Sequence, residues 1–169
     1  MRDIVDGLSR LSRVAPHDIT WTDIDIGSMA ARIAEECQLE NPERHIAWKI
    51  EAPLATRGDP QRVGVLLRNL FANAIKFTSG TRAPRIEFGG MREAGEDVYY
   101  VRDNGVGFDP RYAHKLFKPF ERLHDTSEFE GTGIGLATAY RIVVRHGGRI
   151  WAEGRPDRGA TFFFTLGRE

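Results

Sequence analysis

Two glycine clusters constrain this chain more than any other feature. Residues 103 to 109 read Asp-Asn-Gly-Val-Gly-Phe-Asp, and residues 131 to 137 read Gly-Thr-Gly-Ile-Gly-Leu-Ala. Glycine lacks Cβ and tolerates positive φ, so such clusters mark backbone that turns sharply or approaches another group closely. Between them lie Leu-Phe-Lys-Pro-Phe-Glu-Arg-Leu-His (116 to 124) and a polar run without strong periodicity. The expectation is a pocket edged by two glycine-rich backbones, with residues 109 to 130 as a lid. The second cluster feeds directly into a helical pattern, and the free N–H groups and positive dipole end of a helix N-terminus suit phosphate.

Several known phosphate loops do not fit. No Gly-Lys-Ser/Thr tripeptide occurs, which excludes a Walker A loop. Leu136 stands where a dinucleotide fingerprint needs its third glycine, and no strand immediately precedes the cluster. The His-Arg-Asp and Asp-Phe-Gly motifs of protein kinases are absent. At 169 residues, 41% hydrophobic and 28% charged, the chain suits one soluble domain with a continuous core. A formal net charge of +0 gives no electrostatic reason to expect nucleic acid or an anionic membrane. The single cysteine, Cys37, excludes an intrachain disulfide and suits a reducing, cytoplasmic compartment. No apolar run approaches the roughly 20 residues that span a bilayer.

Along the chain, Ile4, Leu8 and Leu11 predict an amphipathic helix over 1 to 14. It reads either as a bundle seam or as a helix packed on its own domain. Trp21 to Ile26 alternates as a half-buried strand. Ser28 is placed to cap a helix ending at 40 to 42, with Cys37 on its buried face as core packing. His45 to Glu51 is a second alternating strand. Asp59 as N-cap and Pro60 at the first helical position open the next helix. Its buried stripe is Val63, Leu66, Leu67, Leu70, Phe71 and Ala74. Asn69, Asn73 and Lys76, spaced i, i+4 and i+7, share one side of it. Taken alone, that stripe fits either an interhelical hydrogen-bond set or a ligand site. Arg85 to Met91 and Asp97 to Arg102 predict a hairpin that delivers Asp103 to the first glycine cluster. Pro110 to Phe117 reads as a short helix, Thr132 to His146 as a longer one, and 149 to 153 with 161 to 166 as a last strand pair. Hairpins with interspersed helices favour an α+β two-layer sandwich over a doubly wound sheet.

Taken together, Asn-Leu-Phe-Ala-Asn-Ala-Ile-Lys-Phe-Thr (69 to 78), the two glycine clusters and Leu-Phe-Lys-Pro-Phe-Glu-Arg resemble, in order, the N, G1, F and G2 boxes of sensor histidine kinases. That is the ATPase superfamily shared with gyrase, HSP90 and MutL. Phe129-Glu130 and Arg122 to His124 are most similar to the subgroup attached to phytochrome or PAS sensors. The resemblance implies the Bergerat ATP-binding fold, a mixed and mainly antiparallel sheet with three main helices on one face. It covers roughly residues 16 to 169 and implies that residues 1 to 15 end a dimerisation and phosphoacceptor helix.

The resemblance also assigns roles. Asn73 matches the Mg²⁺-binding asparagine, Asn69 lies near the triphosphate, and Lys76 reaches phosphate. Phe77 is the aromatic beside the nucleotide, and Asp103 accepts a hydrogen bond from the adenine amine. Arg122 approaches the γ-phosphate from the lid. Gly105, Gly107, Gly131, Gly133 and Gly135 hinge the lid or let backbone N–H groups reach phosphates, with Thr132, Ile134 and Leu136 in the same phosphate-binding run. Phe117 and Phe120 anchor the lid. Ala160 departs from relatives that carry Thr or Ser near the adenine, which directs attention to Thr161.

The implied reaction is transfer of the ATP γ-phosphoryl group to a histidine on a dimerisation domain, and through it to a response regulator, in a homodimeric parent. None of His17, His45, His114 and His146 has the context of a phosphoacceptor, and His124-Asp125, which superficially has it, falls in the lid. A nucleotide-binding regulatory module and a hydrolytic clamp of the gyrase or MutL kind are the alternatives. Hydrolytic relatives place a glutamate base where Asn69 stands, and that favours a kinase.

Overall fold

In the computed structural model, which describes residues 18–121, 123 and 131–167, the first strand, β1 (Thr22–Asp25), runs straight into α1 (Ile26–Glu40). β2 (Ala47–Ile50) and β3 (Ala55–Gly58) lead to α2 (Pro60–Phe77). The hairpin of β4 (Arg85–Glu93) and β5 (Glu96–Asp103) follows. A 3₁₀ helix (Pro110–Lys115) precedes α3 (Gly135–Arg145), and β6 (Ile150–Gly154) and β7 (Ala160–Thr165) come last. The helix expected over 1 to 14 lies outside the described residues.

The main sheet has the order β2-β4-β5-β7-β6; β2 pairs with β4 in parallel and every other pair is antiparallel. Because strand side chains alternate between faces, Ile86, Phe88, Val101, Phe162 and Phe164 fall on the face that meets α1, α2 and α3 in one buried cluster. The α2 stripe supplies its centre: Val63, Leu66, Leu67, Leu70 and Phe71 are all fully buried. Each such side chain is worth about 1.5–3 kcal/mol of transfer free energy. Cys37 of α1 packs into the same cluster, as its place on the apolar face of α1 predicts. The fold is an α+β two-layer sandwich, as expected.

Two expectations are corrected, and one strand has no counterpart among the sequence-based expectations. β3 carries no hydrophobic alternation, and its partner is β1; the two form a separate antiparallel ribbon outside the main sheet. α1 is capped by Asp25 rather than Ser28. The Asp25 carboxylate accepts the Ser28 N–H at 3.1 Å and also the Leu54 N–H at 3.1 Å, so one side chain closes the helix and pins the loop ahead of β3. α3 begins at Gly135, not Thr132, because Gly131 and Gly133 adopt φ of +150° and +71°, which a helix cannot contain.

Candidate functional site

Most of the site residues singled out in the sequence converge where the C-terminal half of α2 faces the amino end of α3. α2 starts at Asp59, whose carboxylate accepts the Gln61 and Arg62 N–H groups at 3.1 and 3.2 Å. Its far end is held by Arg44, whose guanidinium donates to the Ile75 and Thr78 carbonyls at 3.1 and 3.0 Å. A cation on the last carbonyls of a helix satisfies acceptors that the helix leaves open. This fixes the turn that carries Lys76 and Phe77.

A cavity of about 420 Å³ opens there, lined by Asn69, Asn73, Lys76 and Phe77 of α2, by Asp103 and Gly107, and by Gly131, Thr132, Gly133, Gly135 and Leu136. The Asn69 amide nitrogen donates to the Val65 carbonyl at 3.0 Å, within its own helix. Its oxygen then faces Gly135, where a Cβ would sit 3.3 Å away. The Asn73 side chain lines the cavity with no hydrogen bond to any described residue. Neither asparagine of the stripe makes an interhelical hydrogen bond to a described residue. Lys76 lies along Gly131, where a Cβ would come within 2.7 Å of Nζ. Its ammonium also sits 4.9 Å from the Phe77 ring centroid.

Asp103 ends β5, opposite Ile86 on one side and Ala160 on the other, and is 5% exposed. Burial pushes its carboxyl up to about 6, while N–H groups of Gly105 and Ala160 pull the other way. Its oxygen accepts the Gly105 N–H at 2.8 Å. The chain then clamps onto α2, with the Val106 N–H donating to the Phe77 carbonyl at 3.1 Å. A Cβ on Gly105 would lie 2.1 Å from that carbonyl, so Gly105 shapes the loop from behind and does not line the cavity. Gly107, at φ +62°, passes so close to Arg155 that a Cβ would meet its carbonyl at 1.9 Å.

The amino end of α3 has an unusual finish. Its N-cap position is Ile134, which makes no side-chain cap bond, whereas α1, α2 and the 3₁₀ helix are capped by Asp25, Asp59 and Asp109. Ile134 itself is 2% exposed and, unlike its neighbours Gly133, Gly135 and Leu136, does not line the cavity, so the structure does not bring this expected site residue to it. The orphan N–H groups of α3 thus open onto the same space as Asn69, Asn73 and Lys76, and helix ends of this kind attract anions.

The structure does not bring Thr161 to the cavity. Ala160 and Phe162 line it, so strand alternation turns Thr161 to the opposite face, where its hydroxyl accepts from Arg102 Nε at 3.3 Å. Arg122 lies outside the described residues, as do 124–130 of the expected lid. Phe117 anchors its segment as expected, with ring contacts to Tyr140 and Phe162 at 6.2 Å each. The Phe120 ring does not, being 53% exposed; its backbone N–H holds the Gly133 carbonyl at 3.2 Å instead. Ala72, Phe108, Leu116, Glu121 and Leu123 also line the cavity. Ala72 was within reach of the sequence, since 69, 72, 73 and 76 complete one helical face. Glu121 carried no such signal.

Comparison with known proteins agrees with this geometry. Residues 58–169 match the model of a family described as histidine kinase-, DNA gyrase B-, and HSP90-like ATPase. Cyanobacterial phytochrome A of a Nostoc species is 36% identical across 98% of this chain, which corresponds to 23% of that protein. The chain therefore spans under a quarter of the length of the curated phytochromes it matches, 22% to 23%. Full-length ShkA, solved in complex with AMPPNP, superposes with a TM-score of 0.79 at 26% identity, over 96% of this chain and 35% of that one. Histidine kinase ThkA in complex with response regulator protein TrrA shares the fold at a TM-score of 0.72 and 19% identity, over 96% and 46% of the two chains.

Proposed function

The chain belongs to the histidine kinase-, DNA gyrase B-, and HSP90-like ATPases, and we propose that it is the ATP-binding catalytic unit of a two-component sensor kinase that passes the γ-phosphoryl group of ATP to a histidine on a dimerisation domain. The observation that carries this reading is the uncapped amino end of α3 opening onto a cavity shared with Asn69, Asn73, Lys76 and a buried carboxyl. A triphosphate matches the helix end and the lysine. A base carrying an exocyclic amine matches Asp103, a hydrogen-bond acceptor once ionised, at the end of the cavity walled by Phe108, Ala160 and Phe162.

The donor set also suits Mg²⁺. That ion prefers oxygen ligands in an octahedron and keeps several waters, so a single neutral amide beside phosphate oxygens is a sufficient protein share. Asn73 offers an amide with no competing partner among the described residues. When bound, Mg²⁺ would neutralise charge on the transferring phosphoryl group. The chain's own part is positioning: Lys76 and the α3 amides hold the phosphates, Asn69 flanks them, and Arg122 is assigned to the γ-phosphate from the sequence match alone. In phosphoryl transfer such positioning and charge stabilisation carry most of the catalysis. The acceptor histidine, the response regulator that takes the phosphoryl group onward, the homodimeric parent, and a boundary between dimerisation segment and catalytic unit at residues 15 and 16 belong to the same proposal. The reaction draws on cytoplasmic ATP. Among the described residues no helix is long and apolar enough to cross a membrane.

Titration calorimetry tests the reading. ATP binds in the presence of Mg²⁺ and GTP binds poorly, because guanine presents a carbonyl where adenine presents the amine. Asp103→Asn weakens ATP by about 1–3 kcal/mol, the range for a lost buried hydrogen bond. Equal affinities for ATP and GTP would remove Asp103 from base recognition.

A further inference from the structure

His146 lies at the opposite end of α3 from the cavity and is 1% exposed. Its Nδ1 stands 2.7 Å from the Ile142 carbonyl oxygen, and its Nε2 3.1 Å from the Asp59 backbone nitrogen. A carbonyl can only accept, so Nδ1 carries the proton and Nε2 turns its lone pair to the Asp59 N–H. The ring is walled in. Trp21 meets it edge-on at 5.5 Å, and Gly58 lies so close that a Cβ would sit 3.3 Å from ring atoms. One imidazole thus joins the last turn of α3 to the residue that caps α2.

From this junction we infer that His146 is a positioning residue: it fixes how far α3 can slide along α2, and so sets the spacing between the glycine run and the Asn69–Lys76 stripe. The inference rests on the nucleotide reading above. α2 and α3 are antiparallel, with Asp59 against His146 at one end and Asn69 against Gly135 at the other. From Asp59 to Asn69, and from Gly135 to His146, each helix advances by nearly the same length, roughly 15 Å at 1.5 Å per residue. Between these ends the contact surface is apolar, made from Leu66, Leu67 and Leu70 on one side and Ala139, Ile142 and Val143 on the other. Burial of that kind is non-directional; it sets the separation of two helices and leaves their sliding loosely specified. A directional hydrogen bond supplies what the apolar surface lacks.

The far end has little tolerance. A Cβ on Gly135 would already crowd the Asn69 oxygen at 3.3 Å, and one on Gly131 would meet Lys76 Nζ at 2.7 Å. A slide that changes these gaps moves the uncapped N–H groups away from the amide and ammonium that act with them. A misplacement of about 1 Å is enough to impair a pre-arranged site.

Two substitutions separate this role from plain packing. His146→Gln keeps an acceptor at the reach of Nε2, while His146→Asn keeps a donor for the Ile142 carbonyl but falls short of Asp59. The readouts are the amide resonances of Gly131, Gly133 and Gly135 with the side-chain amide of Asn69 in nucleotide-free protein, and the MgATP dissociation constant well below the melting temperature. The Asn variant is expected to shift those resonances and to weaken MgATP about tenfold, within the range of one lost buried hydrogen bond. The Gln variant returns both towards wild type. If the Asn variant does not fold, His146→Met replaces it, filling the volume without an acceptor. A folded Asn or Met variant with a lower melting temperature, unmoved resonances and unchanged affinity would overturn the inference. Should wild-type protein bind no nucleotide, the functional reading fails and the resonances still decide the positioning role.

Discussion

The amino ends of α2 and α3 sit at opposite ends of one antiparallel pair and are finished in opposite ways. At α2, the Asp59 carboxylate takes the Gln61 and Arg62 N–H groups and reaches the Thr20 N–H at 3.3 Å, Pro60 removes another donor, and the Asp59 N–H itself is taken by His146. At α3 there is no side-chain cap, and the preceding backbone alternates Gly131 and Gly133 with Thr132 and Ile134. An uncapped helix end forgoes about 1 kcal/mol of stabilisation, and the chain tolerates that at the end which faces the cavity. The contrast teaches that the same four orphan N–H groups serve either as a structural joint or as a ligand-facing surface. The residue at the N-cap position decides which.

The largest expected break in this contrast comes from the open end. Asn73→Ala removes the proposed metal oxygen, and the Mg²⁺-dependent gain in ATP affinity falls on the order of a hundredfold. Phosphotransfer to an isolated dimerisation domain is lost, while the melting temperature stays near wild type. Calorimetric titration and thermal melting of one preparation check both halves. A destabilised variant with intact MgATP binding would contradict the metal role.

Acid titration separates the two ends by sign. The Asp103 carboxyl is raised from 3.8 to about 6 in the fold, so between those values the native state holds more proton than the unfolded chain. Stability from this group therefore rises as pH falls from 6 towards 4, by at most about 3 kcal/mol. His146 runs the other way. Burial lowers its imidazole below 6.5; the Ile142 hydrogen bond and the Asp59 charge oppose that, and Arg62 adds to it. The unfolded chain then takes the proton first, and stability is lost as pH falls through 6.5. In wild type the two partly cancel. Asp103→Asn should expose the loss and His146→Gln the gain, in denaturant melts between pH 4 and 8; parallel profiles in the two variants would refute the assignment.

The closed end is probed by Asp59→Ala. Loss of the cap costs about 1–2 kcal/mol, seen as a fall of several degrees in melting temperature with MgATP affinity held within about twofold. Glycine exchange gives effects no larger than that, and they differ in sign. Gly64, inside α2 with open space where a Cβ would go, gains about 0.5–1 kcal/mol as Gly64→Ala. Gly133, at φ +71° and with a Cβ position 3.2 Å from the Phe120 Cα, loses about 1–2 kcal/mol on the same change. Denaturant midpoints resolve both, and stabilisation of Gly133→Ala would mean that the run ahead of α3 is not held in this conformation.

How much of this the sequence revealed follows from how local each cause is. Asp59 and Pro60 announce the start of α2 because a cap acts within three residues. Asn69, Asn73 and Lys76 fall on one face because helical periodicity places them there, and the cavity confirms the face. β3 stayed hidden because Ala55 to Gly58 has no alternation and its partner, β1, lies some thirty residues away. The displacement of Thr161 was likewise out of reach, since it depends on which face of β7 meets the cavity. The raised carboxyl of Asp103 arises from its burial in the folded chain, against the pull of the Gly105 and Ala160 N–H groups, and the His146 ring meets Asp59, 87 positions away. Local chemistry is legible in the chain; enclosure is not.

Cys37 gives the fold a built-in chemical clock. The sulfur is the chain's single thiol, 3% exposed among the side chains of α1 and the core, and burial holds its proton more tightly than usual. Alkylation needs the thiolate in contact with solvent, so a thiol reagent at neutral pH labels this protein only through molecules in which α1 has come away. The labelling rate under native conditions then reports how often that opening occurs, without any engineered probe. Slowing of that rate by nucleotide would measure the free energy that a ligand bound beside α2 and α3 transmits to a helix it does not touch.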